Sequence, residues 1–217
     1  AARDAALAHL AAQVPDARTR ADLTPDYAFG CKRVLRSDDF YPAVAGDSVT
    51  LEPSALSAVD DGVLVADGGT RHEADVIVLA TGFQSTRQPY ADLITGADGE
   101  TLAQHWSRGM TSVASTLVAG FPDLYVMNGP NASLGHNSAV LMMEAQAELV
   151  IRLVRDGGVP VTTEDEADYA SEIDAMAVGT PWLSGCDNWY VDDRSGRLAL
   201  LWPGTVAAFR ERLQLDA

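Results

Sequence analysis

Five consecutive apolar residues, Val76-Ile77-Val78-Leu79-Ala80, run without a polar break into Thr81-Gly82-Phe83. A run so short and so rich in β-branched side chains does not alternate between core and solvent, so it predicts a strand buried on both faces, as in the parallel sheets of α/β proteins. Such a strand needs neighbours. A second short run, Leu124-Tyr125-Val126-Met127, also ends on a turn cluster, Asn128-Gly129-Pro130-Asn131. The segment from Ser138 to Arg155 then has the length and the residues of a helix, terminated by Gly157-Gly158. The fold class expected is therefore α/β, with the two runs side by side and Gly82 and Gly129 on one edge of a single sheet.

Around these runs the chain alternates short elements with clear punctuation. Ala1 to about Ala12 predicts a helix that Pro15 stops, with a loop to follow. Between Val49 and Phe83, runs such as Val49-Thr50-Leu51 and Val63-Leu64-Val65 predict small antiparallel strands, with turns at Asp61-Gly62 and Asp67-Gly68-Gly69. Further helices are expected over Leu102–Ser107, over the acidic stretch Glu164–Met176 and after Pro203; short strands are expected at Trp189–Val191 and Leu198–Leu201. Met142, Met143 and Trp202 are candidate core.

A formal net charge of −16 at pH 7 sets a field that repels phosphate backbones and anionic lipid, which argues against nucleic acid and membrane partners. No apolar run approaches the roughly 18 residues of a membrane span. The two cysteines, Cys31 and Cys186, are far apart and form no metal-ligand pattern, so reduced thiols in a cytoplasmic compartment, and no metal, are the simplest expectation. The first residues carry no basic-then-apolar leader pattern and resemble a cut edge, with helix and linker over 1–22.

Open α/β sheets bind ligands at strand ends, where glycine permits close approach of a ligand to the backbone. Thr81, Gly82 and Phe83 end the first run; Asn128, Gly129 and Pro130 end the second and lead to a helix start at Asn137 or Ser138. The free N–H groups and positive dipole end of that helix suit an electron-rich ligand edge. Yet no two of the 18 glycines stand two positions apart, so the chain has no G-x-G phosphate-binding fingerprint. His136 lies at the same turn, but no nucleophile arrangement surrounds it and a structural hydrogen-bonding role is expected.

Four segments then carry a resemblance. Leu23-Thr24-Pro25-Asp26-Tyr27-Ala28-Phe29-Gly30-Cys31-Lys32-Arg33 resembles the segment of Baeyer–Villiger monooxygenases that bears their active-site arginine. Glu73 to Phe83, with its A-T-G-F ending, resembles the buried strand of the flavin-containing monooxygenase superfamily. Gly120-Phe121-Pro122-Asp123-Leu124 through Asn128-Gly129-Pro130-Asn131 to Gly135-His136-Asn137-Ser138 is similar to the second flavin-facing strand and helix. Gly185-Cys186-Asp187-Asn188-Trp189-Tyr190 and Leu201-Trp202-Pro203-Gly204 resemble the C-terminal block. The family's N-terminal flavin fingerprint, its F-x-G-x-x-x-H-x-x-x-W segment and its nicotinamide-binding glycine motif are absent.

The resemblance implies the C-terminal half of a flavoprotein, with partial FAD-binding (Rossmann-like) sheet elements, residues 23–217 completing the FAD domain. It implies FAD reduced by NADPH, then O2 giving a flavin peroxide that inserts oxygen beside a ketone carbonyl. Arg33 would stabilise the negative charge, because its guanidinium stays charged at any working pH and offers fixed donors. Lys32, the only lysine, would meet the ribose phosphate of the nicotinamide cofactor, and Trp189 would offer that cofactor an indole face and N–H. Thr81, Gly82, Phe83, Asn128, Gly129, Pro130, Asn137 and Ser138 would face the flavin. The isolated chain is expected to be inactive and to need its N-terminal half or a partner chain, with self-association favoured by open strand edges. The alternatives are oxygenation of nitrogen or sulfur atoms, against which Gly30-Cys31-Lys32-Arg33 speaks, and a non-catalytic module.

Overall fold

The computed structural model describes residues 1–133, 135, 136 and 138–215, and divides the chain into two compact units. Unit 1 comprises residues 1–29 and 34–82; unit 2 comprises residues 30–33 and 83–217. Among the described residues no helix is long and apolar enough to cross a membrane.

Unit 1 holds three helices and one sheet. Helix α1 (Ala2–Gln13) stops before Pro15, and Asp16 then caps α2 (Ala17–Asp22) by accepting from the Thr19 amide at 2.7 Å. A short helix α3 (Phe40–Val44) follows. Strands β1 (Leu56–Asp60), β2 (Val63–Ala66) and β3 (Arg71–Glu73) form an antiparallel sheet in the order β1-β2-β3. Asp61 and Gly62 make the first hairpin with φ values of 48° and 81°, the left-handed pair that a two-residue turn between twisted strands requires. The expected strand at Val49–Leu51 lies outside this ladder.

The run Val76–Ala80 departs furthest from expectation. It is not a strand, and Val76, Val78 and Leu79 are 77, 82 and 79% exposed. The sheet of unit 1 consists of its own two ladders, and no strand among the described residues pairs with the run. The expected pairing with Leu124–Met127 is not formed. Leu124–Met127 itself makes a single bridge, between Tyr125 and Leu117. Its backbone is satisfied by other means: the Val126 amide donates to Thr116 O at 2.8 Å, and Val126 O accepts from the Gln146 side chain at 3.3 Å.

Unit 2 is built on helices. A capping box between Thr101 and Gln104 opens α4 (Leu102–His105), which continues as a 3-10 turn over Trp106–Arg108. Helix α5 (Ala139–Asp156) buries Met142, Ala145, Gln146, Leu149 and Leu153, the spacing of one helix face. It ends at Gly157, whose φ of 92° is the left-handed cap that glycine adopts without penalty. Thr162 and Asp165 form a second capping box at the start of α6 (Thr163–Ala177), whose acidic first turn suits the positive end of the helix dipole. Helix α7 (Val206–Arg212) brings Phe209 onto Trp202, ring centroids 5.2 Å apart, to complete a core with α5 and α6. The expected strands near Trp189 and Leu198 are isolated bridges, Val191 to Leu198 and Ser133 to Leu201.

Candidate functional site

A groove of about 620 Å³ opens in unit 2, with Arg33, Phe83, Arg87, Asn128, Trp189 and Tyr190 among its walls. Four residues that the sequence singled out from distant positions therefore share one cavity. Each is held there by a different local device.

Arg33 is carried by Cys31, which has no exposed surface and is disulfide-bonded to Cys186, the Cα atoms 6.3 Å apart. The expectation of two reduced cysteines is thus corrected. A separation of 155 positions hid the pair, since only the fold brings residue 31 to residue 186. On the opposite strand of this link, Asn188 organises the turn that presents Trp189. Its Nδ2 donates to Trp182 O at 2.9 Å and its Oδ1 accepts from the Tyr190 amide at 3.0 Å. Trp189 is 49% exposed, so its indole is a wall and not core packing.

Asn128 sits at a φ of 50°, a left-handed conformation that asparagine tolerates better than most residues. Gln146, fully buried on α5, fixes that turn: its Oε1 accepts from the Asn128 amide at 3.0 Å, and its Nε2 donates to Ser115 O at 2.7 Å. Gly129 has a packing reason as well, because a Cβ there would lie 2.8 Å from Val126 Cγ1. Ser115 and Asn131 continue the buried network, with Ser115 Oγ donating to Asn131 O at 2.9 Å and Asn131 Nδ2 to Leu198 O at 2.6 Å.

The loop after Phe83 is pinned from below. Asp192 is fully buried and accepts from the Met110 amide and from Arg194 at 2.7 Å. Burial pushes its carboxyl up, but the Arg194 hydrogen bonds outweigh that and hold it below the ordinary aspartate value. Arg194 in turn donates to Trp106 O at 2.8 Å and to Thr86 O, and Arg87 pairs with Asp193 at 2.8 Å. Nothing in the sequence V-D-D-R marked this network, since one buried carboxylate reads like any other acidic residue.

The remaining predicted residues are distributed elsewhere. Thr81 and Gly82 belong to unit 1. Lys32 is exposed, and Pro130 is buried with its carbonyl facing Ser112. Ser138 is the N-cap position of α5, while Asn137 lies outside the described residues. His136 stacks on Trp182, centroids 5.8 Å apart, in keeping with a structural role. Tyr190 supplies an observation that sequence reasoning missed. Its hydroxyl is buried beside the groove and has no hydrogen-bond partner among the described residues. A buried polar atom left unsatisfied costs about 1–3 kcal/mol, so such an atom at a cavity wall fits a ligand that supplies the partner. Guanidinium groups, an indole face and an orphan hydroxyl together suit a ligand with flat rings and negative charge.

No family model matches the chain. A Baeyer–Villiger monooxygenase of Streptomyces coelicolor is 40% identical over 210 residues, covering 93% of this chain and 40% of the relative. A Baeyer–Villiger monooxygenase of Pseudomonas aeruginosa is 34% identical over 212 residues, covering 94% and 40%. Among solved structures, an oxidised steroid monooxygenase bound to NADP matches with a TM-score of 0.79 at 27% identity, covering 98% of this chain and 43% of that one. The chain therefore spans about 40% of the length of the curated relatives it matches.

Proposed function

We propose, from the premise that the chain belongs to the Baeyer–Villiger monooxygenases, that the unit 2 groove is one wall of a flavin and nicotinamide site. The convergence of Arg33, Phe83, Asn128 and Trp189 on one cavity carries this reading. FAD, reduced by NADPH, would supply the activation of O2 for insertion of an oxygen atom beside a ketone carbonyl. Arg33 places a permanent positive charge where negative charge develops in the oxygen steps. Trp189 offers a stacking face and an N–H to the nicotinamide cofactor, Lys32 a point charge to its phosphate, and the Tyr190 hydroxyl a hydrogen bond to a polar ligand atom.

Residues 23–217 complete an FAD domain whose phosphate-binding loop belongs to the remainder of a longer protein. The lack of any G-x-G supports this, as does the exposed run Val76–Ala80, which has the composition of a strand awaiting neighbours. Gly129, Pro130 and Ser138 of unit 2 would then lie on the flavin side of that domain.

The test is to join this chain to the N-terminal part of the Streptomyces coelicolor relative and supply FAD, NADPH and O2. The expected product is an ester or lactone from a ketone. A protein that turns over only sulfides or amines would replace the ketone reading with heteroatom oxygenation; one that binds flavin but oxygenates nothing would make the chain a binding module.

A further inference from the structure

The disulfide joins the two walls of the groove at their roots. Arg33 stands two residues after Cys31 and Trp189 three after Cys186. The segment Gly30–Arg33 belongs to unit 2, although the residues before it and after it, 1–29 and 34–82, belong to unit 1. Four residues are thus drawn into unit 2 at the point where the covalent link is made. Gly30 lies over Pro181, and Asn188 Nδ2 reaches both sulfurs, at 3.8 Å from Cys31 and 3.7 Å from Cys186. The two cysteines differ in exposure: Cys31 is fully buried, whereas Cys186 is only half-buried.

We infer that the Cys31–Cys186 disulfide is a reversible redox tether, which holds the Lys32-Arg33 segment on the groove when oxidised and releases it when reduced. The reductant is a dithiol. Its first thiolate attacks Sγ of Cys186, the more exposed of the two cysteines; a new S–S bond forms, the Cys31–Cys186 bond breaks, and Cys31 leaves as a thiolate that takes up a proton. The second thiol closes on the first, displacing Cys186 as a thiol and leaving the reagent as a cyclic disulfide. Two electrons and two protons pass to the protein, and exchange with a disulfide reagent reverses the sequence. A disulfide with one partly exposed cysteine is of the labile class, and not a permanent staple. The tether concerns the segment itself and does not depend on which ligand fills the groove.

Lys32 is the only lysine, so a lysine-specific endoproteinase can cut the chain at one bond, inside the tethered segment. Cleavage requires that segment to open locally, and its rate follows the open population. The oxidised chain should alkylate at no thiol and be cut slowly. After treatment with dithiothreitol it should alkylate at two thiols and be cut at least about tenfold faster, a change of ~1.4 kcal/mol in local opening, with helical circular dichroism unchanged. Cys186→Ser should be cut fast with or without reductant. Equal cleavage rates in the two redox states would overturn the tether. So would loss of the helical signal on reduction, which would make the bond a staple of the whole fold, or a pair of thiols that no disulfide reagent can join.

Discussion

Arg33 is the residue on which the proposed chemistry turns, and its effect can be bounded. Loss of one well-placed charged donor costs about 3–4 kcal/mol, or roughly two to three orders of magnitude in rate. In an enzyme rebuilt with an N-terminal part, Arg33→Ala should keep its flavin and lose ester formation by that factor. Arg33→Lys should restore little of it, because the charge returns without the fork of donors. Flavin content and product yield, measured on the same preparations, separate this from a folding defect. Gln146 is a structural counterpart. Replacing it with Leu strands the Asn128 amide and the Ser115 and Val126 carbonyls, and should lower unfolding stability by about 2–4 kcal/mol in a denaturant titration of this chain. Gly129→Ala should also destabilise it, by about 1–3 kcal/mol, through the 2.8 Å contact with Val126.

At the scale of elements, α4 and α6 meet through His105, whose Nε2 lies 2.9 Å from the buried Glu166 carboxylate and whose Nδ1 lies 3.4 Å from Glu100. The Glu166 carboxylate also accepts from Thr111 Oγ1 at 3.0 Å and from the Ala119 amide at 2.8 Å. The Glu166 hydrogen bond raises the His105 pKa above its ordinary value of 6.5, burial opposes the rise, and the charges of Glu166 and Glu100 add to it. A group with a raised folded-state pKa binds more protons folded than unfolded. Its stabilisation is full below pH 6.5 and is lost as pH climbs through the higher folded value. Melting temperature against pH should therefore fall across that window in the native chain, and His105→Gln should flatten the fall. An unchanged slope in the variant would assign the pH dependence elsewhere.

For the whole molecule, α1, α4, α5, α6 and α7 were legible because their signals are local, whereas α2 and α3 formed in a stretch expected to be loop. Pro15 stops α1, Gly157-Gly158 stops α5, and the burial spacing of α5 needs no partner to be recognised. The Asp61-Gly62 hairpin was equally plain. Misread elements depend on distant chain: Val76–Ala80 has a strand's composition, yet composition cannot supply the neighbouring strands that would bury it. The site was legible in part for the same reason. Arg33 and Trp189, singled out from their segments, line one groove, but the disulfide, the Asp192–Arg194 anchor and the orphan Tyr190 hydroxyl exist only once the chain is folded.

The central claim is that this chain contributes a cofactor-facing wall but not the loop that holds the cofactor's phosphates. Titration of FAD, followed by its fluorescence, tests it directly on two proteins, the chain alone and the chain joined to the N-terminal part of the Streptomyces coelicolor relative. The account predicts weak or undetectable binding by the chain alone and submicromolar binding by the joined protein, because the phosphate-cradling glycines arrive with the added part. Submicromolar affinity in the chain alone would contradict it.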